Sequence, residues 1–273
     1  MFSSDSIIYL QLHKTGCTHI ENLLRQTVGG EVIGKHERLP AGFPVAGRKL
    51  LGSVRNPWDW YVSLWAYGCG GQGGLRGQLT GPGRWRGHGF RHHPALALRR
   101  LLAEVGRSAS AWRRLYADVT NPALFREWVR RLHDPQHRHA VGEGYAESPL
   151  HRHGGFFTYR YALLYARDPV VLYSREVATP AGLKSVIDTG ILLDAVIRNE
   201  RLEDDLLEAL RLCSVFLSED NVALIRAGNR TNASQRHRDL KFYYDQETRE
   251  LVGERDGILI AKYGYAGPVI DHG

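Results

Sequence analysis

A chain of 273 residues with 43% hydrophobic content can bury one sizeable core, and it reads as a single domain, 1–273, with an insertion at 68–155. A net charge of +7 favours anionic partners, whether a nucleotide, an acidic glycan, nucleic acid or a membrane surface, and does not choose among them. Cys17, Cys69 and Cys213 are too few and too scattered for a disulfide framework or a C-x-x-C zinc site, which fits a reducing compartment.

Ile7 to Leu10 is a short apolar run that reads as a buried strand. The chain then changes character through His13, Lys14, Thr15, Gly16, Cys17, Thr18 and His19, before the helical spacing of Ile20, Leu23 and Leu24. Strand, tight basic turn and helix start together aim helix N–H groups, the positive end of a helix dipole, a lysine ammonium and two hydroxyls at one point. That arrangement suits a phosphate or similar anion. Gly16 lets the backbone approach a ligand closely. The nucleotide-loop pattern G-x-x-x-x-G-K-[ST] is absent and the lysine precedes the glycine, which disfavours ATP or GTP hydrolysis.

Glu31 to Lys35 reads as a short strand delivering Lys35 and His36 beyond its end, at the edge where function gathers in open α/β sheets. Lys49 to Val54 is apolar enough for a central strand and runs into Arg55-Asn56-Pro57. Pro57 suits the first position of a helix through Trp58, Trp60, Tyr61, Leu64, Trp65 and Tyr67. A guanidinium at a strand end and the Ser63 hydroxyl two helical turns later can both face a terminal phosphate.

These two turns carry a family resemblance. HKTGCTHIENLL resembles the 5'-phosphosulfate loop of sulfotransferases, usually PKTGGTS or PKTASTS, and RNPWDWYVSLWAY resembles their 3'-phosphate motif, R-N-P-x-x-R-x-x-S-x-Y. The motifs stand in the family's order, about forty residues apart. The resemblance implies a bacterial-type, carbohydrate sulfotransferase-like enzyme with an α/β fold, a P-loop-like central parallel sheet flanked by helices and a long basic Gly/His-rich insertion. Its donor would be 3'-phosphoadenosine 5'-phosphosulfate (PAPS), held by His13 to His19 and by Arg55 and Ser63. One departure is plain: Trp60 stands where the family commonly has a second arginine, so another basic residue replaces that charge or the contact is lost.

Gly68 to His93 is rich in glycine, arginine and histidine without periodicity, and reads as a flexible basic loop: a lid over an acceptor, or a segment for single-stranded RNA. Helices are expected at Pro94 to Val105 and from Pro122, capped by Asn121. His133 to His153 holds the clusters His137-Arg138-His139 and His151-Arg152-His153, but no carboxylate or cysteine recurs at ligand spacing, so no metal site is expected. Gly154 to Ala166 resumes an apolar helix in which Arg160 is the polar exception. Pro169 to Tyr173 and Asp194 to Arg198 read as strands, with a helix around Leu183 to Ile187 between them. An acidic helix, Leu202 to Leu212, follows Glu200, which is either a base or substrate-orienting group, or a helix-start carboxylate favoured by the dipole.

Arg230 to Lys241 is basic and turn-rich, and the tail after it reads as one amphipathic helix capped by Asp245, with Leu251, Val252, Ile258, Leu259 and Tyr263 buried. The tail also resembles the ending of carbohydrate sulfotransferases, which implies that Asn232, Ser234, Arg236 and Arg238 lie where a loop covers the nucleotide.

Sulfuryl transfer is an in-line displacement through a loose transition state, so positioning and charge stabilisation carry most of it. Lys14 would stabilise charge growing on the bridging oxygen, lysine and helix N–H groups standing in for magnesium. His36 is the first candidate for the base that takes the acceptor's proton, and Glu200 the second. The expected partner is a hydroxyl-bearing saccharide, glycolipid or related acceptor, which the basic loop permits to be anionic. A P-loop-like kinase or phosphotransferase and a basic RNA- or polyanion-binding protein are the alternatives. No apolar stretch suffices to span a bilayer, and the first motif begins within a dozen residues of Met1. The expectation is therefore a cytoplasmic protein whose sequons at Asn229 and Asn232 stay unglycosylated.

Overall fold

The computed structural model describes residues 1–81, 109–228, 236–237 and 239–270. Its strands are β1 (Phe2–Ser3), β2 (Ile7–Leu10), β3 (Glu31–Val32), β4 (Lys49–Val54) and β5 (Ala195–Arg198), in the sheet order β3-β1-β2-β4-β5. β2, β4 and β5 are parallel neighbours, Tyr9 pairing with Leu51 and Leu51 with Ala195. β1 runs antiparallel to both β2 and β3. The sheet is therefore mixed: its central trio is parallel, as expected, and bears the two turns of interest, while two-residue strands with antiparallel pairing close its other edge.

All four residues of β2 are buried, and alternation along the strand divides them between two cores. Ile7 and Tyr9 join Leu51 and Ile197 against α1 (Cys17–Thr27), which contributes Ile20, Leu23 and Leu24. Ile8 and Leu10 join Val54 against α2 (Pro57–Cys69), whose Trp58, Trp60, Tyr61 and Trp65 are buried. The result is an α/β structure with helices on both faces. Further helices are α3 (Gly74–Thr80), α4 (Pro122–His133), α5 (Phe156–Tyr165), α6 (Pro180–Thr189), α7 (Leu202–Leu212), α8 (Gln246–Arg255) and α9 (Gly257–Tyr263). Side chains cap several helices as read: Asn121 Oδ1 accepts from Ala123 N, and Asp245 forms a capping box with Thr248. Among the described residues, no helix is long and apolar enough to cross a membrane.

Three segments differ from the sequence reading. Pro169–Tyr173 is a 3-10 turn and not a strand, because Asp168 Oδ1 caps Val170 N at 2.9 Å and Pro169 is already set for a helical start. Part of the supposed loop is helical, since α2 continues to Cys69 and α3 follows it, burying Leu75 and Leu79. The tail is not one helix: Asp256 ends α8 by turning inward to accept from Thr158 N (2.8 Å) and Thr158 Oγ1 (2.6 Å) at the start of α5. Of the expected stripe, Val252 and Leu259 are buried, and Leu251, Ile258 and Tyr263 are half-buried. The expected helix Pro94 to Val105 and the loop from residue 82 to His93 lie outside the described residues.

Candidate active site

The turn after β2 is held open by its backbone. Lys14 has φ +62° and Gly16 φ +78°, both left-handed, and a Cβ on Gly16 would stand 2.7 Å from Asn199 Oδ1 and from Leu202 Cδ1. His19 and Ile20 donate to Gly16 O, which leaves the first N–H groups of α1 outside the helical ladder, facing the loop. Thr15 does not serve a ligand with its hydroxyl: that group donates to Leu12 O at 2.8 Å and meets Ser53 Oγ at 2.6 Å, and Ser53 also meets Tyr9 OH at 2.7 Å. This buried chain of hydroxyls ties the end of β2 to β4. Thr18 keeps its hydroxyl at the cavity, accepting from Lys35 Nζ at 3.0 Å. Cys17 is buried, and burial pushes its thiol up.

The second turn packs against the first. Arg55 Nη1 donates to Lys14 O at 3.0 Å, and Trp60 Nε1 donates to His13 O at 2.7 Å. Trp60 is thus a fully buried brace for the first loop, and the charge of an arginine is absent at that position. A feature the sequence reading missed lies beside it. Asp59, one turn after Arg55, accepts from Arg55 Nε at 2.6 Å and is ion-paired with Arg236. Burial works against the charge on Asp59, but the two guanidinium groups outweigh it and hold the carboxyl below its ordinary range. Arg236 is therefore the basic residue brought to Arg55, through a shared carboxylate. Asp59, Ser63 and Tyr67 follow one another at four-residue spacing on α2, so one helix face lines the cavity. Lys14 Nζ sits 3.9 Å from the centre of the Tyr67 ring, a cation–π contact. Burial, with Arg55 nearby, pushes its ammonium down to about 8.

Opposite α2 stand the residues beyond β3. His36, with φ +60°, places Nδ1 3.0 Å from Gln11 O, and its ring stacks on His13 with centroids 3.6 Å apart and planes inclined by 18°. Burial lowers both imidazoles, His13 to about 2, so both are neutral near pH 7. Arg160 is buried and paired with Glu143, its Nε 2.9 Å from Glu143 Oε2, with the guanidinium 4.5 Å from the Phe156 ring. Glu200 accepts from Asn56 N at 2.8 Å. The residue is exposed overall, yet the protein wall around its carboxyl raises that group by partial desolvation.

These groups line one cavity of about 1440 Å³. It brings together His13, Lys14, Gly16, Cys17, Thr18, His19, His36, Arg55, Ser63 and Glu200, as well as Asp59, Tyr67, Arg160 and Arg236. Thr15 is excluded by its buried hydroxyl. Asn232 and Ser234, expected at the nucleotide, lie outside the described residues. His19 sits at the cavity edge, Nε2 3.5 Å from Glu203 Oε1. Among the described residues, no three of His, Cys, Asp or Glu are grouped as ligands for a metal ion. Compared with known proteins, the chain matches no family model, no curated protein and no solved structure.

Proposed function

We propose that this chain is a PAPS-dependent sulfotransferase with a P-loop-like α/β fold, acting in the cytoplasm on a hydroxyl of a saccharide, glycolipid or related acceptor. The observation that carries the reading is the meeting of the two strand-to-helix turns. They end adjacent parallel strands, touch through Arg55 Nη1 and Lys14 O, and line one cavity large enough for a nucleotide and a second substrate.

The residues fit a bisphosphorylated nucleotide with one complication. The α1 start and Lys14 supply cationic and N–H groups for a sulfated or phosphorylated 5' end. Arg55, Arg236 and Ser63 supply donors for a 3'-phosphate, while Asp59 cancels one of the two guanidinium charges there. Such a donor supplies a sulfuryl group already joined to a good leaving phosphate. Lys14, still an ammonium at pH 7, neutralises charge on the departing oxygen. His36 is the favoured base. Gln11 O can only accept, so Nδ1 carries the ring proton and Nε2 keeps its lone pair to take the acceptor's proton. Glu200, anchored on Asn56 N, is the second candidate.

Calorimetric titration with adenosine 3',5'-bisphosphate tests the reading. The wild-type chain should bind it and discriminate against AMP. Ser63→Ala should weaken binding by roughly 10- to 100-fold, the cost of a hydrogen bond to a charged group, and Arg55→Ala should abolish it. No binding by the wild type, or equal binding of AMP, would refute the assignment.

A further inference from the structure

His13 comes just before the loop lysine, among the residues expected to hold the donor, but its surroundings point to another task. Trp60 Nε1 fixes its backbone by donating to His13 O, and its ring lies face to face with His36 at 3.6 Å. His36 has a left-handed backbone and, among the described residues, one polar tie, Nδ1 to Gln11 O at 3.0 Å. A single hydrogen bond at Nδ1 is a pivot about which an imidazole can still rock; a second ring stacked at van der Waals distance removes that freedom and covers one face from water.

We propose that His13 is a positioning residue for His36, its stacked ring holding the His36 imidazole in the Nδ1–H tautomer with Nε2 available to the cavity. The proposal deepens the reading of His36 as the base and rests on it. The charged groups around the pair are Lys35 from the same loop, Lys14 from the first turn, Arg160 from α5 and the Met1 ammonium beside β1, which Glu21 and Glu37 face in turn. Arg160 and Lys35 oppose protonation of both rings, Lys14 that of His13 and the Met1 ammonium that of His36. Covering one face of His36 with His13 acts in the same direction as the cations, by keeping water away. The two neutral imidazoles form a unit: a half-buried aromatic plate anchored by Trp60, and a reactive ring whose accepting nitrogen is set by the Nδ1–H bond to Gln11 O that the plate holds in place.

The test is ¹⁵N NMR of the imidazole nitrogens across pH in the full chain, which requires neither donor nor acceptor. In the wild type, His36 should show a single Nδ1–H tautomer and a titration midpoint below 6.5. His13→Phe keeps a stacked ring and should preserve both signatures. His13→Ala uncovers one face, and should give mixed tautomers with the midpoint raised by roughly half a pH unit or more. A wild-type His36 in the Nε2–H form, an alanine variant identical to wild type, or a phenylalanine variant that behaves like alanine would each overturn the proposal. Loss of the sulfotransferase reading would show separately, as failure of the wild type to bind adenosine 3',5'-bisphosphate while these ring signatures stand.

Discussion

Gly16→Ala tests whether the first loop is built as described. At φ +78° an alanine pays the left-handed penalty, about 1 kcal/mol. Its Cβ would also stand 2.7 Å from Asn199 Oδ1 and 2.7 Å from Leu202 Cδ1, contacts that force α1 and the start of α7 apart. Overpacking of this kind costs a further ~2 kcal/mol. The sum, about 3 kcal/mol, corresponds to a fall in Tm of roughly 6–10 °C for a chain of this size. Gly42→Ala is the matched control, because Gly42 has φ +76° and nothing within 4 Å of its Cβ. It should lose only the backbone part, roughly 2–3 °C. Thermal melts followed by circular dichroism measure both variants side by side. If Gly16→Ala melts no lower than Gly42→Ala, the close approach of the loop to Asn199 and Leu202 is wrong, and with it the anion cradle.

Two further outcomes follow from buried bases. His133 is fully buried, its Nε2 3.0 Å from Tyr61 OH, and burial lowers it from 6.5 to about 4. Between those values the unfolded chain binds a proton that the folded chain excludes, so stability is complete above 6.5 and is lost as pH falls toward 4, by up to about 3 kcal/mol. Urea denaturation at pH 7 and 4.5 should show a smaller acid loss in His133→Gln than in wild type, and an equal loss would refute the assignment. Lys14, lowered to about 8, loses its charge as pH rises through that value. Affinity for adenosine 3',5'-bisphosphate should therefore fall roughly tenfold between pH 7 and 9.5. Lys14→Arg, which stays charged, should flatten that fall, and an unchanged fall in the variant would place the titrating group elsewhere.

Much of the frame is legible locally. The apolar run of β2 and the helical spacing after Gly16 state their own geometry, because backbone preference and burial period act over a few residues. The same holds for Pro57 at a helix start and for the caps at Asn121 and Asp245. The left-handed turn at Gly16 belongs with them, since glycine adopts it without a Cβ penalty.

The site's partnerships are not legible in this way. Asp59 pairs with Arg55 within one helical turn, a spacing visible in the sequence, but its second partner, Arg236, is 177 residues away. The Thr15 hydroxyl looks like a ligand group until Ser53, 38 residues on, takes it. Trp60 looks like a lost arginine until its indole reaches His13 O. Asp256 breaks a helix whose pattern continues, because α5 offers its carboxylate a buried N–H and a hydroxyl. Local sequence determined the two strand-turn-helix units and where their glycine, lysine and arginine stand. Which polar groups are spent inside the fold and which are left for a ligand was decided only in tertiary structure, because a buried donor or acceptor must be satisfied by whatever folding brings beside it.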